Sequence, residues 1–191
     1  MANHQAIGAV AEAVTRLLEQ SWHADLLSGI EPQFEVYHGK DFSTPMAAGV
    51  SVFVYQVCVD TVQRTLPPSL PDHKRPLPVK MSLLLTAWAK DASIEHALLG
   101  WAMRAIADHP NLSSGFLNAA TTGVFEADES VDLTPSELGN DEVFQLWQVL
   151  PSSLQLSVPY VARVIRIESE IVQPTGAPVA ERIFDMGVLT G

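Results

Sequence analysis

Residues 78–107, PVKMSLLLTAWAKDASIEHALLGWAMRAIA, decide the fold. Val79, Met81, Leu83, Leu85, Ala87 and Ala89 alternate with Lys80, Ser82, Leu84, Thr86, Trp88 and Lys90. One face of an extended strand is therefore wholly apolar and the other mixed. Asp91-Ala-Ser93 follows as a turn, with Ser93, or Asp91 if the helix starts earlier, placed to cap it. Ile94, Leu98, Trp101, Ala102, Ala105 and Ile106 then recur at helical spacing. Arg104 stands in the last turns, where a cation suits the negative end of the helix dipole. A strand that turns directly into an amphipathic helix folds that helix back over its own sheet. The strand's mixed face, with Leu84 and Trp88, is expected to pack against a neighbouring subunit or a second helix. Nothing in the stretch bears chemistry.

Upstream, Val50 to Arg64 (VSVFVYQVCVDTVQR) is rich in β-branched and aromatic residues on both faces, as in a central strand covered on two sides. It is expected to pair with the first strand of the deciding stretch as a long hairpin. The intervening arm, Leu66 to Pro78, holds five prolines. Asp72, His73, Lys74 and Arg75 form its tip, the chain's only basic cluster. Gln33 to His38 reads as a short strand, and Asp41 to Pro45 as a turn. The first helix has Ile7, Val10, Val14, Leu17 and Leu18 on its apolar stripe, with Asn3 as its expected cap and Gly29 as a stop.

Downstream, His109-Pro110 breaks the central helix and residues 111–123 read as a loop of small residues. Ser130 to Leu133 is a short strand, and Asn140 caps a helix carrying Val143, Phe144, Leu146, Trp147 and Leu150. Leu154 to Ile167 is the last strand, and Pro159 places it at an edge or a bulge. The expected organisation is one domain, 1–169, followed by a tail, 170–191, that contains Ile183 and Phe184. The fold class is α+β: an antiparallel or mixed sheet of about four to five strands flanked by about two to three helices.

Composition narrows the function classes. The chain has 191 residues, of which 47% are hydrophobic and 17% charged. With few charges and no apolar run long enough for a membrane span, buried surface in a homo-oligomer is expected. A net charge of −11 argues against nucleic-acid binding, which needs clustered Lys and Arg. The opening MANHQAIGAV lacks the basic and apolar regions of a secretory signal, and the single cysteine, Cys58, fits a reducing compartment.

Candidate chemistry is sparse. The six histidines include no i, i+4 pair and no HExxH, so no metal site is expected. No P-loop or GxGxxG occurs, and no cofactor is expected. His38, Asp41 and Ser43 lie close in sequence, but without a GxSxG elbow they read as a hydrogen-bonded turn rather than a triad. Cys58, within an apolar strand, reads as a packed, inert thiol. Glu126, Asp128, Glu129, Asp132, Glu137, Asp141 and Glu142 form an acidic stretch with no Lys or Arg between Arg104 and Arg163. A solvated face explains it. The competing reading is an adaptor that tethers basic effector or partner proteins through residues 126–142, with Asp128, Glu129, Asp141 and Glu142 at its surface.

Several ordered stretches carry a resemblance: MANHQAIGAV, FEVYHGKDFSTPMAAGVSVFVYQVCVD, LTAWAKDASIEHALLGWAMRAI and LQLSVPYVARVIRIES. Together they resemble the N-terminal domain of cap, or tail-terminator, proteins from extracellular contractile injection systems. These are phage-tail-like particles of the antifeeding-prophage and virulence-cassette type. The resemblance spans roughly residues 1–170. It implies a structural, non-enzymatic protein: a hexameric ring that closes the tube and binds the last sheath layer. It also implies assembly in the cytoplasm into a particle that can leave the cell, with tube and sheath proteins as partners. The resembled caps continue well past the late strand, whereas about twenty residues follow it here, so the tail could instead add a strand to a neighbour's sheet edge.

Overall fold

The structure, a computed structural model, describes residues 2–27, 29–61, 74 and 76–172. α1 (Ala6–Ser21) leads to β1 (Gln33–Tyr37), a 3-10 turn (Gly39–Ser43), β2 (Gly49–Val59), β3 (Leu77–Trp88) and α2 (Ala92–Asp108). Then come β4 (Asn111–Ser113), α3 (Ser114–Leu117), β5 (Ser130–Pro135), α4 (Asn140–Val149) and β6 (Ser157–Ile167). Among the described residues the strands form one mixed sheet in the order β1-β2-β3-β6-β5-β4. β1 runs parallel to β2 and every other neighbouring pair is antiparallel. The fold is α+β as expected, with one strand more than the sequence suggests.

The deciding stretch behaves as read. β3 is central, paired with β2 on one side and β6 on the other. Asp91 caps α2, its carboxylate accepting from Ser93 N at 2.8 Å. Val79, Met81, Leu83, Leu85 and Ala87 are all buried beneath α1 and α2, against Val10, Val14, Leu18, Leu98, Ala102 and Ile106. Burying this many large side chains, each worth about 1.5–3 kcal/mol, makes this layer the main source of stability. Trp22 and Phe34 close its end against Trp101; the Trp22 and Trp101 rings meet edge-to-face at 4.9 Å.

Several expectations are corrected. Asn3 does not cap α1. Its carboxamide oxygen accepts from Gln5 N at 2.8 Å in a turn outside the helix, and Gln5 occupies the cap position without a side-chain bond. Gly39–Ser43 is a 3-10 turn, and residues 111–117 supply β4 and α3 rather than loop. Gly139, not Asn140, caps α4, and Glu142 Oε2 accepts from Gly139 N at 2.8 Å.

The largest correction concerns β6, which lies inside the sheet, between β3 and β5, despite Pro159. Pro159 O accepts from Ser136 N at 3.0 Å, so the side on which proline lacks a donor faces β5, whose ladder ends at Pro135. The bulge on β6 lies further on, where Val79 pairs with Ile165 but Met81 with Ala162. Val164 takes φ +70° there, rare for a β-branched residue. The extra residue switches the alternation, so Ile165 is buried with Tyr160 and Ala162 while Val164 is only half-buried.

Candidate interaction surfaces

Among the described residues, the second face of the sheet is covered over only part of its area. Leu84 and Trp88 of β3, with Tyr37 and Phe42, pack beneath Trp147 and Leu150. Phe42 lies at the centre, with its ring 5.2–5.9 Å from those of Tyr37, Phe53, Trp88 and Trp147. A row of hydroxyls underlies the two indoles. Ser51, Thr86 and Ser157 are opposite one another on β2, β3 and β6. Trp88 Nε1 donates to Ser51 Oγ at 2.8 Å and Trp147 Nε1 to Ser157 Oγ at 3.4 Å. Leu84 and Trp88 retain 1% and 5% exposure. Of the two occupants expected for this face, a helix of the same chain, α4, is the one that covers them.

The outer side of α4 is open and carries two exposed apolar side chains among Asp141, Gln145 and Gln148. Phe144 is 53% and Val149 78% exposed, and Leu154 joins Phe144 and Gln148 around the rim of Trp147. Phe144 is among the apolar residues read for this helix from the sequence, but it does not join the buried cluster. Val143, Leu146, Trp147 and Leu150 recur at i, i+3, i+4 and i+7 and turn inward, whereas Phe144, one residue and about 100° past Val143, turns outward.

The acidic residues form two groups along the chain. Glu126, Asp128 and Glu129 precede β5, whereas Glu137, Asp141 and Glu142 follow it, so the length of a six-residue strand, roughly 17 Å, separates the groups. Two of them serve local structure: Glu129 Oε2 accepts from Glu126 N at 2.9 Å, and Glu142 from Gly139. Asp128 and Asp141 are exposed, and Asp132 accepts from Asn111 Nδ2 at 2.6 Å.

Of the basic tip, Lys74 is described. Its Nζ donates to Glu168 Oε1 at 2.7 Å, and its backbone bridges Val172, tying the approach to β3 to the exit from β6. That hydrogen bond holds the Glu168 carboxyl below its ordinary pKa. Asp72, His73, Arg75, Ile183 and Phe184 lie outside the described residues.

The His38, Asp41 and Ser43 group is a turn. Asp41 Oδ2 accepts from His38 N at 2.7 Å, the main reason its carboxyl titrates low, and stands 3.3 Å from His38 Nδ1. Ser43 Oγ donates to Lys40 O at 2.8 Å, away from any base. Cys58 is half-buried opposite Lys80 on β2, not packed in the core. Among the described residues no group of three His, Cys, Asp or Glu could hold a metal ion, and no helix is long and apolar enough to cross a membrane.

A mixed sheet with α1 and α2 on one face and α4 on part of the other defines a fold shared with solved tail-terminating proteins. One match is the cryo-EM structure of a PVC sheath/tube terminator, in its extended state, from an extracellular contractile injection system. It has a TM-score of 0.58 and 16% identity over 96% of this chain and 65% of that one. Another is the tube-terminating cap of the anti-feeding prophage, with a TM-score of 0.57 and 15% identity over 92% of this chain and 59% of that one. This chain thus spans about three fifths of the length of the solved proteins it matches. No curated protein matches it in sequence. The chain belongs to the Pvc16 N-terminal domain family, whose model matches residues 9–181.

Proposed function

We propose that this protein is a structural cap of a contractile injection system: a terminator that ends the tube and sheath. One observation carries the reading. A family model covers residues 9–181, and the fold independently matches a sheath/tube terminator and a tube-terminating cap. In this reading the chain acts as a closed ring of identical copies, a hexamer, and has tube and sheath proteins as partners. It assembles in the cytoplasm and stays with the particle. A ring that offers a mating surface on one side only stops the addition of further rings, which is how a non-catalytic protein sets an end. The exposed apolar side chains of α4 (Phe144, Val149) and the low share of charged residues suit a protein whose surface is largely covered in an assembly. The reading assigns no catalytic role to any residue.

Labelling tests the location. A tagged subunit imaged on purified particles is expected at one end, once per particle. Label along the shaft, or absent from particles, would overturn the proposal.

A further inference from the structure

β1 accompanies only the first half of β2. Gln33–Tyr37 lie beside Gly49–Phe53, and the chain then leaves through the 3-10 turn. Residues 54–59 of β2 pair with β3 on one side and, among the described residues, with no strand on the other. This open edge reads Val-Tyr-Gln-Val-Cys-Val, without a proline or a charge. Such an edge is a template for another strand, and native proteins cover or blunt it. The bulge at Tyr55 turns the edge but does not close it. Val57 and Val59 stand opposite Met81 and Val79 on the face shared with α1. They are 41% and 43% exposed, whereas their partners are buried. Where β1 departs, a groove of about 450 Å³ opens between α1 and the sheet, lined by Ile7, Gly8, Ala11, Val36, Phe53 and Val54 among others. A lane one strand wide, with an apolar floor at its head, therefore continues the line of β1.

We propose that this lane receives an extended strand from a second copy of the chain, supplied by residues 173–191. Those residues lie outside the described structure, but their starting point is fixed. Val172 bridges Lys74 antiparallel, beyond the last rung between β3 and β6, at the same end of the sheet as Val59. At Val172 the chain runs antiparallel to Lys74, as β6 runs to β3, and β3 and β2 stand between this point and the chain's own lane. Nineteen residues reach about 60 Å when extended, enough to meet a neighbour. Phe184, Met186 and Val188 recur at a spacing of two, the period of a strand with one apolar face. Main-chain bonds to the open edge supply affinity, and the apolar side chains over Val57, Val59 and the groove supply register. The contact stands apart from the proposed function, because it applies to any assembly of copies.

Cysteine pairing tests it, in full-length chains carrying Cys58→Ser so that only the introduced thiols react. One sample carries Val57→Cys; the other carries Phe184→Cys, Met186→Cys or Val188→Cys, to cover the register. Circular dichroism and melting of each variant confirm that it folds. After mixing and mild oxidation, a disulfide-linked pair is expected with at least one tail position. Its yield should be several-fold above that of Lys90→Cys, an exposed site at the far end of β3, with the same tails. Yields no higher than the Lys90→Cys control overturn the proposal. So does a crosslink that forms only within single chains carrying both cysteines and persists under dilution with cysteine-free protein, because the tail then closes on its own copy.

Discussion

Gly49 faces Gln33 so closely that no side chain fits between them. At φ +150° on Gly49, a Cβ would overlap the Gln33 carbonyl oxygen and lie 2.7 Å from Gln33 N. This pair begins the parallel ladder between β1 and β2, so the glycine sets how near β1 can lie. Gly49→Ala is expected to destabilise the protein by about 2 kcal/mol or more, as both strain and overlap must be relieved by moving β1. Urea unfolding with an unchanged m-value checks it; an unchanged midpoint would contradict it.

Two neighbours on α4 should respond very differently. Trp147 is 4% exposed, packed against Phe42 and over Ser157, and Trp147→Ala should cost about 3–5 kcal/mol. Phe144, with its side chain in solvent, should cost no more than about 0.5 kcal/mol as Phe144→Ala in the isolated chain. Thermal melts of the two variants side by side test the orientation of the helix.

The bulge on β6 makes a similar pair. Val164→Gly relieves a left-handed backbone at the expense of a half-buried side chain and chain entropy, and should change stability by less than about 1 kcal/mol. Ile165→Ala, next to it and fully buried, should cost about 2–5 kcal/mol. Equal costs would mean that the alternation does not switch there.

The Lys74–Glu168 tie has a pH signature. Its hydrogen bond lowers the folded Glu168 pKa below the ordinary value of 4.5. The stability it lends is therefore fully present above that value and is lost as pH falls through the lower folded one. Comparing Glu168→Gln with the parent chain across pH should show a gap at neutral pH that closes in acid. A gap that widens in acid would contradict the assignment.

What could be read from sequence follows the strength of local periodicity. Residues 78–107 carry both periods in clean form, and β3 and α2 formed where these put them, with Leu84 and Trp88 meeting α4. The rest depended on contacts no window of sequence contains. The position of β6 inside the sheet turned on which way Pro159 faced, and on β5 ending at Pro135. The bulges at Tyr55 and Val164 switch faces without a local signal, since neither site holds the glycine that usually marks one. Phe42 looked like a turn residue and is a core centre, because the short crossover from β1 to β2 lays it across the sheet. The open edge of β2 was hidden for the same reason: it exists only because β1 stops at Tyr37.

The cap assignment is tested most directly by particle length. In a producing strain lacking this gene, electron microscopy of the particles should show tubes and sheaths of broad, unregulated length, or unstable sheaths, with uniform particles restored by the full chain. Particles of unchanged, uniform length in the deletion strain would contradict the account.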